Sequence, residues 1–304
     1  MKEVVIFGDS LSDEGTFGFR FTTQPGHTWA HEVAVHLGCT AEPAVVCNWA
    51  DAYLGRTEAS RSGSGLNFAQ GGARVNLPYS AVSEEPWGVP WSVARQLDAF
   101  LQAHRRFSPG QLVCVFAGTN DVTYRYDPAI DPTVAAGLRA DIVVGEQTMA
   151  VERRRIRRAA TDLAALIRQM RRAHAERVLV LGLYELGATP WFTTVAAQTY
   201  VDDLTRVFNR HLADELAKVN DDKVAFVNTA AHFAEILDDP ESHGFTFGRG
   251  SDACAVNGAD AVDFCDPATQ RHPTAHLDHV FAASVHLSTA GHQALARHVI
   301  GSYL

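Results

Sequence analysis

The chain has 304 residues, of which 46% are hydrophobic and 20% are charged, and its formal net charge is -9. An acidic chain repels phosphate backbones, so nucleic acid is not an expected partner. No apolar run reaches the roughly 20 residues that span a bilayer, and we expect no transmembrane segment. The balance of residue types is that of an ordinary globular protein, and we predict one large domain over residues 1–304.

Short apolar segments alternate along the chain with segments of helical periodicity. The apolar segments, which are typical of strands buried on both faces, are residues 3–7, 111–117, 177–183 and 223–227. The helical segments are residues 28–37, 93–104, 151–175, 195–217 and 289–303. This alternation predicts an α/β fold with a parallel sheet covered on both faces. We expect irregular excursions near 39–66, 127–150 and 240–280, the second of them lid-like.

The chain has five cysteines. Cys39 and Cys47 are close in sequence, as are Cys254 and Cys265, and both pairs lie in loop-like sequence, so we predict two disulfides. Cys114 lies in an apolar strand and is expected to be a buried thiol. Two disulfides favour a secreted or periplasmic protein, the alternative being a cytoplasmic enzyme with five reduced thiols. No apolar core of a signal peptide precedes the first strand, and the cysteine spacing does not indicate zinc.

Two polar segments directly follow predicted strands. Ser10, in Gly8-Asp9-Ser10, comes just beyond the first strand, where a serine has an accessible hydroxyl and neighbouring N–H groups, as a nucleophile requires. Asp and Ser are also ordinary turn and cap residues. Asn120 follows the second strand and can donate from its amide. A third segment, Tyr184–Pro190, follows the strand over residues 177–183. Because parallel strands end at one edge of the sheet, we expect these three segments to meet there.

Two further segments supply a donor and a base. Gly71 and Gly72 lie in the sequence NFAQGGAR, and a glycine N–H can approach and stabilise an oxyanion. A simple Gly-Gly turn is the alternative interpretation. His286 precedes the last predicted helix and can act as a base, although it is one of 14 histidines, most of which we expect to be structural or on the surface.

Taken together and in this order, the four segments resemble the GDSL/SGNH hydrolase family, in the branch of secreted bacterial esterases and autotransporter-type lipolytic enzymes. The resemblance runs from Gly8 to His292 through GDSLSD, NFAQGGA, GTND and VH followed by TAGHQ. It implies a flavodoxin-like three-layer α/β/α sandwich. It also implies a catalytic Ser10 and His286, with an oxyanion hole formed by Ser10, Gly72 and Asn120. No cofactor and no metal are expected, and we predict a monomer.

The sequence departs from the family pattern at Ala283, where relatives carry the aspartate that orients the histidine. Leu287 also stands where proline is usual. Three explanations stay open. The enzyme uses a dyad in which a backbone carbonyl holds the second ring nitrogen of His286; another acid substitutes, Asp278 being the nearest candidate; or Ala283 is an introduced, inactivating substitution.

The resemblance implies a serine carboxylic ester hydrolase of the esterase or lipase type, acting on a small-molecule or lipid ester. The alternatives are a lipid acyltransferase of the same family and a catalytically impaired or non-catalytic ester-binding homologue. Aromatic side chains near the nucleophile and the glycine pair either line an acyl pocket or belong to the core. They are Phe17, Phe19, Phe21, Trp29, Trp87 and Trp91.

Overall fold

The computed structural model describes residues 2–48, 60–79, 88–218, 220–255 and 265–304. Its strands are β1 (Glu3–Gly8), β2 (Val45–Cys47), β3 (Ser60–Ser62), β4 (Gln111–Phe116), β5 (Arg177–Leu181), β6 (Val224–Val227), β7 (Phe247–Asp252), β8 (His279–Ala283) and β9 (His286–Leu287). Its α-helices are α1 (Trp29–His36), α2 (Val93–His104), α3 (Thr119–Thr123), α4 (Pro132–Arg139), α5 (Glu146–Arg172), α6 (Val195–Ala217), α7 (Thr229–Asp238), α8 (Ala275–Asp278) and α9 (Thr289–Tyr303).

The central sheet is parallel and has the strand order β1-β4-β5-β6. Val5 pairs with Val113, Val113 with Val178, and Val178 with Val224, so the strands are in register across the sheet. On the outer edge of β1, Asn67 forms a single parallel bridge with Ile6. Counting that bridge as a rudimentary strand gives the 2-1-3-4-5 order of flavodoxin-like folds.

The helices cover the sheet in two groups. Helix α1 packs against α9, while α5 packs against α2 and α6. All six residues of β4 are buried, as expected of a strand with helices on both faces. The predicted α/β/α architecture is confirmed. No helix among the described residues is both long and apolar enough to cross a membrane.

A second, three-stranded sheet carries the C-terminal part of the site. Strand β8 pairs in parallel with β7 and antiparallel with β9. Ser284 and Val285 form the tight turn between β8 and β9, and Ser284 has a φ of 54°. The prediction of an irregular segment over 240–280 was therefore wrong for β7 and β8. The sequence of β7, FGRGSD, has neither the β-branched residues nor the alternation that indicates a strand.

The second predicted excursion, 127–150, is also more regular than expected. Helix α4 begins at Pro132, and the side chain of Asp131 caps it by accepting the N–H of Val134 at 3.0 Å. Helix α5 begins at Glu146, five residues before the predicted start at Val151. Its first turn is polar, so the apolar periodicity that marks the helix becomes visible only further along. In the first excursion, β2 pairs with β3 as an antiparallel ladder.

One of the two predicted disulfides is present. Cys254 and Cys265 are bonded, with Cα atoms 5.4 Å apart. Cys39 and Cys47 are free thiols, so the prediction of a bond between them was wrong. Cys39 lies just after α1, with its sulfur 3.6 Å from the Leu37 carbonyl, whereas Cys47 is buried within β2. Cys114 is a buried thiol, as predicted, and burial raises its pKa.

Candidate active site

The turn after β1 holds Ser10 in a short 3-10 helix, Ser10–Ser12. The side chain of Asp9 caps this helix by accepting the N–H of Leu11 at 3.1 Å. Gly8 has a φ of 155°, and a Cβ atom there would lie 2.1 Å from the carbonyl oxygen of Phe116. The side chain of Gln96 bonds to both the N–H and the carbonyl of Gly8, at 2.9 and 2.8 Å. The backbone of Gly8, two residues before Ser10, is therefore fixed by close packing and by two hydrogen bonds.

Buried Asp13 ties this turn to the glycine loop. One of its carboxylate oxygens accepts the N–H groups of Gly15 and Thr16 at 2.9 and 2.8 Å, and the other accepts the N–H of Gly71 at 2.9 Å. Burial raises the pKa of Asp13 to about 6, although these three donors act in the opposite direction. The carboxylate satisfies three backbone donors that would otherwise be buried without a partner.

The carboxyl group of Asp9, next to Ser10, is also fully buried. Burial raises its pKa to about 7, the N–H of Leu11 and contacts with Thr119 lower it, and the nearby Asp121 raises it. Its second oxygen has no hydrogen-bond partner among the described residues. Two buried acids thus flank the serine on the chain without either contacting the imidazole.

The glycine loop and the turn after β4 meet through a side-chain bond. The amide nitrogen of Asn120 donates to the carbonyl of Ala73 at 3.0 Å. Gly72 has a φ of 83°, a conformation that L-residues rarely adopt. Within the described parts of the chain, the N–H groups of Ser10 and Gly72 have no acceptor. The N–H of Gly71, by contrast, is bound to Asp13.

The hairpin of β8 and β9 brings the histidine to the serine. Nε2 of His286 lies 2.9 Å from Oγ of Ser10, across a separation of 276 positions in the sequence. Ser10 is 4% exposed and His286 is 7% exposed. The four segments singled out from the sequence therefore converge: Ser10 contacts His286, Asp13 contacts Gly71, and Asn120 contacts Ala73.

The imidazole of His286 is held mainly by packing. The ring of Phe21 stacks on it, with centroids 5.4 Å apart and planes 29° apart. The hydroxyl of Tyr184 donates to the carbonyl of Val285, in the hairpin turn. Burial lowers the pKa of His286 to about 4, and the carbonyl of Ala283 counteracts this only in part. Nδ1 makes no well-aligned hydrogen bond within the described residues.

Asp278 does not take the place of the missing acid. It lies at the opposite end of β8 from Ala283, and its Oδ1 is 2.7 Å from Nδ1 of His279. An ion pair with His272 at 3.5 Å occupies the same oxygen. The suggestion that Asp278 orients His286 was therefore wrong, because β8 is extended and separates the two residues.

Several residues support the site through contacts that were not predicted from the sequence. Gln96 acts from the first turns of α2, and Tyr184 acts from beyond β5. His292 is buried in α9, where its Nδ1 accepts the N–H of Trp29 at 3.2 Å. The indole of Trp29 in turn donates to Oγ of Ser12 at 3.1 Å. A polar residue in an amphipathic helix is usually solvated, so only the folded chain shows that these groups are buried and paired.

The aromatic residues near the serine fall into three groups. Trp29 is fully buried in the main core. Phe17 and Phe21 are buried in a smaller cluster that also contains the disulfide, Ala282 and Ala283, and that Phe19 and Trp91 cover. Trp87 lies outside the described residues. The smaller cluster, which we call the aromatic cluster, adjoins His286 through Phe21.

Comparison with known proteins is consistent with this site. Residues 4–299 match the model of the family described as GDSL-like Lipase/Acylhydrolase. The chain therefore belongs to the GDSL-like lipase/acylhydrolase family, whose members are hydrolases of ester substrates. The match covers nearly the whole chain and includes Ser10, Gly72, Asn120 and His286.

Individual relatives are distant. A Pseudomonas putida protein, described as an uncharacterized protein in the trpE-trpG intergenic region, is 25% identical over 316 residues, which is 96% of this chain and 47% of that protein. The chain thus spans about half the length of that curated relative. An acetylxylan esterase from Geobacillus stearothermophilus is 14% identical with a TM-score of 0.44, over 99% of this chain and 93% of that one. An alpha/beta hydrolase enzyme from the metagenome of Lake Arreo, Spain, has the same identity and TM-score, over 99% and 94%.

Proposed function

We propose that this protein is a serine carboxylic ester hydrolase that works through an acyl-enzyme on Ser10. The observation that carries the proposal is the 2.9 Å contact between Oγ of Ser10 and Nε2 of His286. The N–H groups of Ser10 and Gly72 have no acceptor in the described parts of the chain. A nucleophile and a base within hydrogen-bond distance are the minimum requirement for covalent catalysis of this kind.

In the acylation step, Nε2 of His286 accepts the proton of the Ser10 hydroxyl while Oγ attacks the ester carbonyl carbon. The N–H groups of Ser10 and Gly72 and the amide of Asn120 stabilise the negative oxygen of the tetrahedral intermediate. The carbon–oxygen bond to the alcohol then breaks, and the imidazolium returns its proton to the departing alkoxide. Water repeats the sequence on the acyl-enzyme and releases the carboxylic acid.

The same geometry supports Gly72 rather than Gly71 as the oxyanion donor. The N–H of Gly71 is bound to Asp13, whereas that of Gly72 has no acceptor within the described residues. Asn120 already uses one amide hydrogen on Ala73, which fixes the side chain and leaves the other hydrogen for substrate. Donors that are fixed before the reaction stabilise the transition state without reorganisation.

A neutral His286 makes the contact productive despite the missing acid. With its pKa at about 4, the imidazole is unprotonated at neutral pH and available as a base. Burial that lowers this pKa also disfavours the imidazolium that forms during the reaction. We therefore infer a working Ser10–His286 dyad that is slower than a triad, with the backbone of Ala283 offering the only nearby polar group for Nδ1 among the described residues.

The compartment and the substrate belong to the same proposal. The Cys254–Cys265 disulfide supports an oxidising environment, hence a secreted or periplasmic protein. The aromatic cluster next to His286 supports an ester with an apolar acyl or aromatic group.

Labelling with a fluorophosphonate probe tests the proposal directly. We expect stoichiometric modification of the wild-type protein at Ser10, and no labelling of Ser10→Ala above background. His286→Ala should label at least about 10²-fold more slowly, because the serine loses its base. Wild-type labelling no faster than that of Ser10→Ala would instead indicate a non-catalytic ester-binding protein. An added alcohol acceptor in the ester assay separates hydrolysis from acyl transfer.

The oxyanion donor on α3 is tested by Asn120→Ala. Removing one such donor typically costs about 10²–10³ in turnover, and we expect a loss in this range in kcat with little change in KM. Circular dichroism serves as the control for folding, because Asn120 also holds Ala73. An unchanged kcat would remove Asn120 from the proposed oxyanion hole.

A further inference from the structure

A cluster of histidine and aspartate side chains lies at the start of β8, away from Ser10. Oδ1 of Asp278 is 2.7 Å from Nδ1 of His279 and 3.5 Å from Nε2 of His272. All three atoms lie within 4.8 Å of one another. We propose that His272, Asp278 and His279 bind one divalent transition-metal ion, with zinc as the best fit to two imidazoles and a carboxylate.

The side chain of Thr274 forms hydrogen bonds with two of these proposed ligands. Its hydroxyl lies 3.2 Å from Nδ1 of His272 and donates to Oδ2 of Asp278 at 3.3 Å. The hydroxyl oxygen can therefore accept a hydrogen bond from Nδ1–H, and in that tautomer Nε2 carries the lone pair that binds an ion. Nε2 makes no well-aligned hydrogen bond within the described residues, and Oδ1 of Asp278 lies 3.5 Å from it. Outer partners of this kind fix the tautomer and orientation of metal-binding histidines.

The orientation of the rings fits a shared ion. The ring centroids of His272 and His279 are 5.4 Å apart, with planes 43° apart. Two imidazoles on a tetrahedral zinc, with Zn–N distances of about 2.0–2.1 Å, have centroids roughly 5 Å apart. Asp278 and His272 are half-buried, so water can reach the fourth position. Protein ligands at three positions with water at the fourth complete a tetrahedron.

A second histidine–carboxylate cluster in the chain lacks this geometry. Glu14, His27 and His31 also lie within 4.8 Å of one another through their ligand atoms. The rings of His27 and His31, however, are stacked with centroids 3.7 Å apart and planes 13° apart. Parallel rings this close cannot both have one ion in their planes. In addition, Glu14 already accepts the N–H of Thr28 at 2.6 Å.

The position of the proposed ion indicates what it does. It would link His272, in the loop that follows the disulfide, to the first residue of β8, and β8 leads directly into the hairpin that holds His286. The ion would stabilise the three-stranded sheet without touching the reacting atoms. This role does not depend on the proposed esterase activity.

To test the inference, tag-free protein is first stripped of metal with a chelator and then incubated with zinc. We expect the wild-type chain to retain one equivalent of zinc after gel filtration and to gain about 5 °C in Tm when zinc exceeds Kd about 100-fold. His272→Gln and Asp278→Asn should each weaken zinc binding at least tenfold. Cobalt should give the visible absorption of a tetrahedral site in the wild type and lose it in both variants.

His31→Gln is the matched control, because it alters the second cluster in the same way. It should bind zinc like the wild type. Circular dichroism of the metal-free protein checks that each variant is folded. The proposal is overturned if the wild type retains no zinc, or if zinc binding survives both His272→Gln and Asp278→Asn. Loss of zinc in His31→Gln alone would assign the ion to the second cluster.

Discussion

The turn that presents Ser10 and the hairpin that presents His286 are built in different ways. Around the serine, polar side chains fix the backbone: Asp9 caps the 3-10 helix, Gln96 bonds both sides of Gly8, and Asp13 binds three N–H groups. Each of these groups is buried. The serine therefore keeps its place through hydrogen bonds that are expensive to break.

Around the histidine, backbone geometry and packing contribute more than side-chain hydrogen bonds to holding the imidazole in place. The hairpin is anchored by the hydroxyls of Tyr184 and Ser288, which donate to the carbonyls of Val285 and His279. The imidazole itself has a stacked ring on one face, and Ser10 is its one well-aligned side-chain hydrogen-bond partner among the described residues. Packing therefore keeps the imidazole beside Ser10, although Nδ1 makes no well-aligned hydrogen bond within the described residues.

The largest loss of stability and activity is expected from a substitution in the turn that presents Ser10, which hydrogen bonds hold in place. Asp13→Ala leaves the N–H groups of Gly15, Thr16 and Gly71 without an acceptor. Those of Thr16 and Gly71 are buried, at a cost of about 1–3 kcal/mol each. We expect thermal unfolding to shift markedly downwards, and ester hydrolysis to fall at least about 10²-fold because the loop that carries Gly72 is released. Thermal denaturation and kcat measured on the same preparation check this.

Asp13→Asn is the matched control for that variant. Its oxygen can still accept from Gly15 and Thr16, whereas its NH2 group cannot accept from Gly71. The turn should stay folded while activity still falls. Full activity in Asp13→Asn would show that the bond to Gly71 does not position the glycine loop.

A gain in kcat is expected from a substitution in the hairpin of β8 and β9, where packing holds the imidazole. Ala283 and His286 are directly paired across the hairpin, so their side chains lie on the same face. In Ala283→Asp the carboxylate can reach Nδ1, fix the tautomer and stabilise the imidazolium. We expect kcat to rise at least tenfold. Ala283→Asn, which is equal in size but uncharged, should gain much less, and an equal gain in both variants would refute an electrostatic role for the acid.

A smaller effect is expected in the pH dependence. Below its pKa the imidazole is protonated and cannot accept the serine proton, so activity is lost as the pH falls through that value. Burial places the pKa of His286 at about 4, and the acidic limb of kcat/KM should lie near there in the wild type. In Ala283→Asp the added charge raises the pKa, so the limb should move to higher pH. A limb that stays in place would mean that another group controls it.

The sequence predicted the parts of the molecule that are regular and local. Helices α2, α6 and α9 have the predicted bounds because their apolar spacing is uninterrupted. The order of strands and helices brought Ser10, Asn120 and His286 to one edge of the sheet. The pairing of β7 with β8 was not predictable, because glycine and charged residues in β7 carry no pattern and only the neighbouring strand makes it extended.

Sequence separation was a poor guide to contact in two other cases. Cys39 and Cys47 are close along the chain, yet Cys39 lies just beyond the end of α1 and Cys47 lies in β2. Asp278 is near His286 in sequence, but an extended strand carries it away. Gln96 and Tyr184 are distant in sequence and meet the site only through tertiary packing. Such contacts depend on the complete fold, which local patterns do not encode.

The disulfide lies directly behind the strand that presents the base. The N–H of Cys254 donates to the carbonyl of Ala282 at 3.1 Å, and the sulfur of Cys265 is 3.8 Å from the same oxygen. Ala282 is next to Ala283, whose partner in the ladder is His286. Reduction of this bond would therefore loosen the support of the imidazole before it affected the serine. We therefore expect reductant to lower ester hydrolysis through the base, while the backbone around Ser10 keeps its hydrogen bonds.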